Sequence, residues 1–193
     1  MRGNVNTLNL LNMLLRFTVN HVAFCGDIKQ FYCRIGLDES QWHLQRILFK
    51  ENMNIDAETQ ELLLISLIFG VRCVSALSER AVLDLAASVS KVNSRLEALL
   101  VIARFVDDLG DSDKDTETVK EIIAAADKLF ESCGLECKGW TVSGEDPHPD
   151  VTSDGVSVDI GGMVWYSKLD TLMIKIPPIH FGSKARGKLR VGT

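Results

Sequence analysis

Three aspartates follow short apolar runs, and carboxylates so placed are the donors that a divalent cation takes. Asp27 comes after residues 21–25 (His-Val-Ala-Phe-Cys) and Gly26, and Asp107 and Asp108 follow Arg104-Phe105-Val106, 80 positions further on. Two strand ends lying side by side would converge three carboxylates, as phosphoryl transfer through two cations about 3.5–4 Å apart requires. The adjacent pair alone says little, because a chain with 15 Asp produces about one Asp-Asp pair by chance. A solvated turn residue is the plain alternative for each Asp taken singly. Two other cation patterns fail. Asp111, Asp113 and Asp115 imitate the start of an EF-hand loop, but Thr116 stands where Gly is needed and Ile122 where Glu is needed. Cys133 and Cys137 have no second ligand pair for zinc.

The elements that must position these groups can be read from periodicity. Leu8, Leu11, Leu14, Leu15 and Val19 recur at helical spacing ahead of the apolar run 21–25, so a helix leads into a strand that ends at a carboxylate. Residues 43–49 and 62–69 are two further strand candidates around a polar loop, 50–61. From Ser75 to about Leu100 the pattern is that of one long helix, carrying Ala81, Leu83, Leu85, Val89 and Val92 without Gly or Pro. Leu99 to Val106 is another apolar run, with Asp107-Asp108-Leu109-Gly110 as a hairpin tip. The next helix carries Val119, Ile122, Ile123, Ala126, Leu129, Phe130 and Cys133, with Thr118 and Glu121 as a capping box and Gly134 as its stop. The segment around Lys138 is expected as an irregular loop. Residues 156–165 and 171–176 form a closing hairpin around Lys168-Leu169-Asp170, and Pro177-Pro178 opens a basic tail.

Length and composition fit a single domain: 193 residues, 46% hydrophobic and 24% charged. A net charge of −5 argues against a free-standing nucleic-acid binder, which needs Lys and Arg on its contact face. The charge is uneven, however: +3 over residues 1–50, −3 over 51–100, −8 over 101–150 and +3 over 151–193, with the acid gathered around Asp107 and Asp108. Five cysteines at irregular spacing, without a Cys-x-x-Cys pair, fit a reduced intracellular protein. The apolar start is broken by Asn9, Asn12 and Arg16, which suits a buried helix and neither a signal peptide nor a membrane span.

Taken together, these segments resemble reverse transcriptases, most closely the polymerases of Bel/Pao-type LTR retrotransposons. The likeness runs from residues 10–17 (Leu-Leu-Asn-Met-Leu-Leu-Arg-Phe) through Asp27-Ile-Lys-Gln-Phe-Tyr32, Leu37-Asp38, 42–46 (Trp-His-Leu-Gln-Arg) and 69–76 (Phe-Gly-Val-Arg-Cys-Val-Ser-Ala). It continues through the Phe-Val-Asp-Asp box and residues 134–144, beginning Gly-Leu-Glu-Cys-Lys-Gly-Trp. The implied fold is α+β, a reverse-transcriptase-like palm whose antiparallel sheet is backed by helices, with partial fingers over residues 1–176. Residues 177–193 would be a basic tail leading toward a thumb outside this chain.

The resemblance implies an RNA-directed DNA polymerase, a nucleotidyltransferase that extends a primer 3′-OH. Asp27, Asp107 and Asp108 would be its catalytic metal-binding carboxylates for two Mg²⁺ ions, with Mn²⁺ as a substitute. Asp27 and Asp107 would hold both ions with the Ile28 carbonyl as a further ligand, and Asp108 would tune the site. Tyr32 falls where the family has an aromatic gate against a ribose 2′-OH; a half-buried strand Tyr is the alternative. Ser75 matches the nucleotide-positioning turn, although the Gln-Gly and Ser-Pro pairs of retroviral relatives are replaced around Gly70-Val71 and Ser75-Ala76. Lys138 lies where such polymerases carry a Lys that protonates pyrophosphate, with a solvated Lys as the alternative. Met163-Val164-Trp165 corresponds to the primer-gripping hairpin, or else supplies a core Trp. Implied partners are an RNA or DNA template with its primer, dNTPs, and the fingers, thumb and ribonuclease H of a polyprotein. No membrane is involved, and the implied location is the cytoplasm, including virus-like particles. The rivals are a non-catalytic retroelement remnant acting as an interaction module, and a two-metal nuclease or phosphatase using the same three Asp.

Overall fold

A computed structural model describes residues 9–51 and 56–175. The basic tail 177–193 and Ile176 lie outside the described residues, as do Leu8 and the middle of the 50–61 loop. The chain begins with helix α1 (Asn9–Val19) and strand β1 (Val22–Ile28). Leu10, Met13, Leu14 and Phe17 form the inward face of α1, while Leu11, Leu15 and Val19 are exposed. The apolar stripe is therefore turned from the expected one, because the Phe17 ring meets Trp165 edge-on at 4.8 Å and fixes the helix rotation. Strand β1 runs one residue beyond Asp27.

A lobe of short elements follows. Its 3₁₀ turns are Phe31–Arg34 and Glu39–Leu44, and its antiparallel hairpin pairs β2 (Arg46–Phe49) with β3 (Gln60–Leu63). Both strands are shorter than the apolar runs suggested. Asp38 caps the second turn by accepting from the Ser40 amide, which draws His43 and Leu44 into that turn. Residues after Leu63 leave β2 for the segment after β1, with the Leu37 amide donating to the Ile65 carbonyl and the Leu67 amide to the Ile35 carbonyl.

The long helix expected over residues 75–100 is two helices, α2 (Val74–Val89) and α3 (Ser94–Val101). Asn93 makes the break: its side-chain oxygen accepts from the Arg95 and Leu96 amides, so it caps a new helix. Leu99 to Val101 thus end α3, and the strand that follows, β4 (Arg104–Phe105), is two residues long. Strand β5 (Asp108–Asp113) returns antiparallel to it. Helix α4 (Thr116–Ser132) buries Val119, Ile122, Ala126 and Phe130 as its periodicity predicts. Its cap is Asp115, which accepts from the Thr118 amide; Thr118 is inside the first turn and is no cap. Gly134, at φ +76°, ends it.

The segment expected as a loop around Lys138 is strand β6 (Cys137–Val142), paired with β1. The last unit is a three-stranded antiparallel sheet, β7 (Val158–Ile160), β8 (Met163–Tyr166) and β9 (Thr171–Ile174). Gly161 and Gly162, both at positive φ, make the extra turn that splits the expected first strand in two.

The main sheet has the order β4-β5-β1-β6, with every pair antiparallel. Side chains of β1 alternate between two cores. Phe24 and Ile28 enter a cluster with Val82, Leu96, Leu99, Val119, Ile122 and Phe130, under α2, α3 and α4. Ala23 and Cys25 face Met13, Phe17, Val158, Ile160 and Trp165, under α1 and the small sheet. The architecture is thus an α+β antiparallel sheet backed by helices.

Candidate active site

Asp27 and Asp108 are direct cross-strand partners in the β1–β5 ladder. Opposed residues of an antiparallel pair point to the same face, and alternation sets that face as the one carrying Ala23 and Cys25. Asp107 is in the β4–β5 turn just before Asp108, and its carbonyl accepts from the Ile28 amide at 2.9 Å. The hairpin tip, expected at Asp107 to Gly110, is instead Val106-Asp107, and Asp108 to Gly110 already belong to a strand. A small cavity is lined by Cys25, Gly26, Asp27 and Asp108 on one side and by Val151, Val158, Asp159 and Ile160 on the other.

Lys138 donates to Asp27 Oδ2 at 3.0 Å while its side chain stays 39% exposed. Its approach depends on an irregularity in β6. Gly26 pairs with Trp140 but Ile28 with Cys137, so three steps of β6 match two of β1. The bulge turns Lys138 to the Asp27 face while Trp140 and Cys137 stay on the other. Gly26 permits this packing, since a Cβ there would come within 2.7 Å of the Trp140 ring.

The electrostatics follow from burial and crowding. The Asp108 carboxyl is pushed up to about 6, first by burial and then by Asp107 and Asp27, against the opposing hydrogen bond from the Gly161 amide. Asp107 is raised as well, chiefly by burial and then by Asp27, with Lys138 and Arg104 pulling the other way. Asp27 Oδ1 is buried without a hydrogen-bond partner. Among the described residues no group of three His, Cys, Asp or Glu is gathered closely enough to hold a metal ion. Burial favours the protonated form of the two thiols nearby, raising Cys25 strongly and pushing Cys137 up to about 11.

The remaining candidates are distributed around this centre. Ile28 is buried in the main core, with its amide on the Asp107 carbonyl. Tyr32 lies in the 3₁₀ turn after β1 and not in a strand, between Phe31 (ring centroids 5.6 Å apart) and Phe69, which it meets edge-on at 5.0 Å. That contact joins Tyr32 to the segment leading into α2. Ser75 is exposed on the first turn of α2, its carbonyl accepting from Ser78 Oγ; no hydrogen bond among the described residues joins it to the carboxylates. Trp165 is a core residue under α1.

Periodicity and motif reading missed two contributors. Gly161 acts through a backbone amide on Asp108 Oδ2 at 3.2 Å, and its only signal was the Gly161-Gly162 pair. Arg104 is buried directly before the turn and donates to the Leu100 and Val106 carbonyls and to Glu79. A charged residue within an apolar run was its signal.

No family model and no curated protein sequence matches the chain. Among solved structures 119 chains match, including a foamy viral protease-reverse transcriptase in complex with an RNA/DNA hybrid. That match has a TM-score of 0.57 and 14% sequence identity, and it covers 90% of this chain and 19% of the viral one. The chain therefore has a reverse-transcriptase-like fold and spans about a fifth of the length of that viral protein.

Proposed function

We propose that this chain is the palm, with part of the fingers, of an RNA-directed DNA polymerase from a Bel/Pao-type LTR retrotransposon, and that residues 177–193 lead toward a thumb. The observation that carries this reading is the register Asp27 opposite Asp108, with the Asp107 carbonyl locked onto the Ile28 amide, on a reverse-transcriptase-like sheet. The donor chemistry suits Mg²⁺ or Mn²⁺, which take carboxylate oxygens. Asp27 Oδ1 is a buried oxygen without a partner, and Asp107 is a second carboxylate whose ionisation burial disfavours. Asp27 and Asp107 would hold the ions with the Ile28 carbonyl, and Asp108, engaged by Gly161, would tune them. Two bound ions would supply charge neutralisation at the triphosphate and activation of the primer 3′-OH.

The chain's own residues divide the remaining work. Lys138 pairs with Asp27 and would donate a proton to departing pyrophosphate. Tyr32, braced by Phe69, is the gate against a ribose 2′-OH, and Ser75 helps to position the nucleotide at the start of α2. Template, primer and dNTPs are the substrates, the other polyprotein domains are partners, and the setting is the cytoplasm or a virus-like particle.

Primer extension on an RNA template with Mg²⁺ and dNTPs tests this, using the chain alone and joined to fingers and thumb. Extension that Asp107→Asn abolishes is the expected result. Binding of template-primer without any extension would sink the catalytic reading. A second reading, a non-catalytic remnant acting through protein contacts, draws on the lack of a three-donor cluster among the described residues and on the pairing of Lys138 with Asp27. It is the reading that survives if extension fails.

A further inference from the structure

We infer that Arg104 is a positioning residue for Asp107, holding the Val106–Asp107 peptide by its carbonyl and tying that turn to α2 through Glu79. The inference rests on the proposed role of Asp107 for its functional meaning, while its geometry stands by itself. Arg104 is 1% exposed, and each guanidinium nitrogen is engaged. Nε donates to the Leu100 carbonyl at 3.0 Å, Nη1 to the Val106 carbonyl at 2.6 Å, and Nη2 to Glu79 Oε2 at 2.6 Å. One planar fork thereby joins the last turn of α3, the turn that bears Asp107, and the first half of α2.

The turn needs such a hold. Val106 has φ +59°, in the left-handed region where a β-branched residue is an outlier that persists only when its surroundings over-determine it. The Val106 carbonyl and the Asp107 amide belong to one planar peptide unit, so fixing the oxygen fixes the direction in which Asp107 leaves the turn. The Asp107 carbonyl is then fixed on the other side by the Ile28 amide at 2.9 Å. Released from Arg104, Val106 would relax toward negative φ and rotate the peptide that aims the Asp107 side chain. Lysine in place of arginine could reach only part of this set, since it offers one ammonium where three separated acceptors are met.

Replacing Arg104 and Glu79 together by apolar residues leaves no unpaired buried charge, so what the double variant loses is the hold on the Leu100 and Val106 carbonyls. The test therefore compares Arg104→Met/Glu79→Met, Arg104→Lys, and each of these with Val106→Gly, which adopts positive φ without strain. Three quantities are read: the melting temperature, Mn²⁺ affinity by electron paramagnetic resonance without substrate, and hydrogen exchange of the Ile28 amide. The expected result is a folded double variant with Mn²⁺ affinity weakened roughly 10-fold or more and a faster-exchanging Ile28 amide, both largely restored by Val106→Gly. Wild-type affinity and exchange in the double variant would overturn the proposal, as would failure of Val106→Gly to restore either. If the double variant does not fold, Arg104→Lys with and without Val106→Gly decides on the same readouts. If the wild-type chain neither extends a primer nor binds Mn²⁺, the polymerase reading falls and Ile28 exchange alone judges the positioning of the turn.

Discussion

The carboxylate-bearing sheet and the β2–β3 lobe are built on opposite principles. Strand β1 is packed on both faces, with Phe24 and Ile28 in one core and Ala23 and Cys25 in the other. All eight residues of β2 and β3 are exposed, among them Leu48 at 77%. An isolated two-stranded hairpin is marginal in water, and this one is held by a few backbone bonds, such as the Leu64 amide to the Gln45 carbonyl, and by local contacts such as Trp42 Nε1 to the Leu37 carbonyl. The difference teaches where precision resides: Asp27, Asp107 and Asp108 are on the rigid half, and Tyr32 is at the border of the thin one.

Paired truncations break or keep this contrast. Phe130→Ala, emptying a fully buried site under the sheet, is expected to cost about 3–5 kcal/mol. Leu48→Ala on β2 is expected to stay within about 0.5 kcal/mol. Urea denaturation of both variants measures this, and comparable losses would mean that the lobe shares the core of the sheet.

The next effect concerns charge within the rigid half. Asp108 is pushed up to about 6 from an ordinary 3.8, by burial before any neighbour. Between those values the folded chain binds more protons than the unfolded one, so stability falls as pH rises through the window and is regained on acidification from 7 toward 4. Asp108→Asn, still able to accept from the Gly161 amide, should flatten that slope and add up to about 3 kcal/mol at pH 7 in EDTA. Melting curves across this pH range decide it, and an unchanged slope would place the burden on Asp107.

Lys138→Met probes the same charge cluster from its basic side. The pair with Asp27 is partly exposed, with side chains 39% and 28% accessible, so its loss should lower metal-free stability by no more than about 1 kcal/mol. The same change removes a competitor from Asp27 Oδ2 and should tighten Mn²⁺ binding. Weaker Mn²⁺ binding would instead make Lys138 a support of the site rather than an occupant.

Legibility in the sequence followed the same division. Helix α4 was readable because it has one dominant periodicity and one apolar partner face, and strand β1 because packing on both faces makes it a short continuous apolar run. The break before α3 was hidden, since the Asn93 cap lies within a pattern whose apolar residues continue on both sides. Strand β6 was unreadable because the bulge at Lys138 and Gly139 interrupts alternation, and its reason, contact between Gly26 and Trp140, spans more than a hundred residues. The three aspartates were legible as groups following apolar runs. Their supports were not: Gly161 contributes an amide with no side-chain signature, and Arg104 finds Glu79 only once α2 has folded over the turn.

The smallest effect on stability tests the border between the two halves. Tyr32 meets Phe69 edge-on at 5.0 Å, and Phe69 is itself 75% exposed. Such a ring pair contributes about 0.5–1.5 kcal/mol beyond its buried area, and exposure puts this one at the lower end, so Phe69→Leu should barely move the melting temperature. Its consequence for a gate would be larger than for the fold. A gate excludes a 2′-OH only while its ring is held still, and without Phe69 the Tyr32 ring keeps, among the described residues, Phe31 as its aromatic neighbour. Ribonucleotide incorporation by Phe69→Leu should therefore fall between that of the wild type and that of Tyr32→Val, with dNTP extension retained. Discrimination equal to wild type would show that Phe31 suffices to hold the ring, and unchanged discrimination in Tyr32→Val would remove the gate from this position altogether.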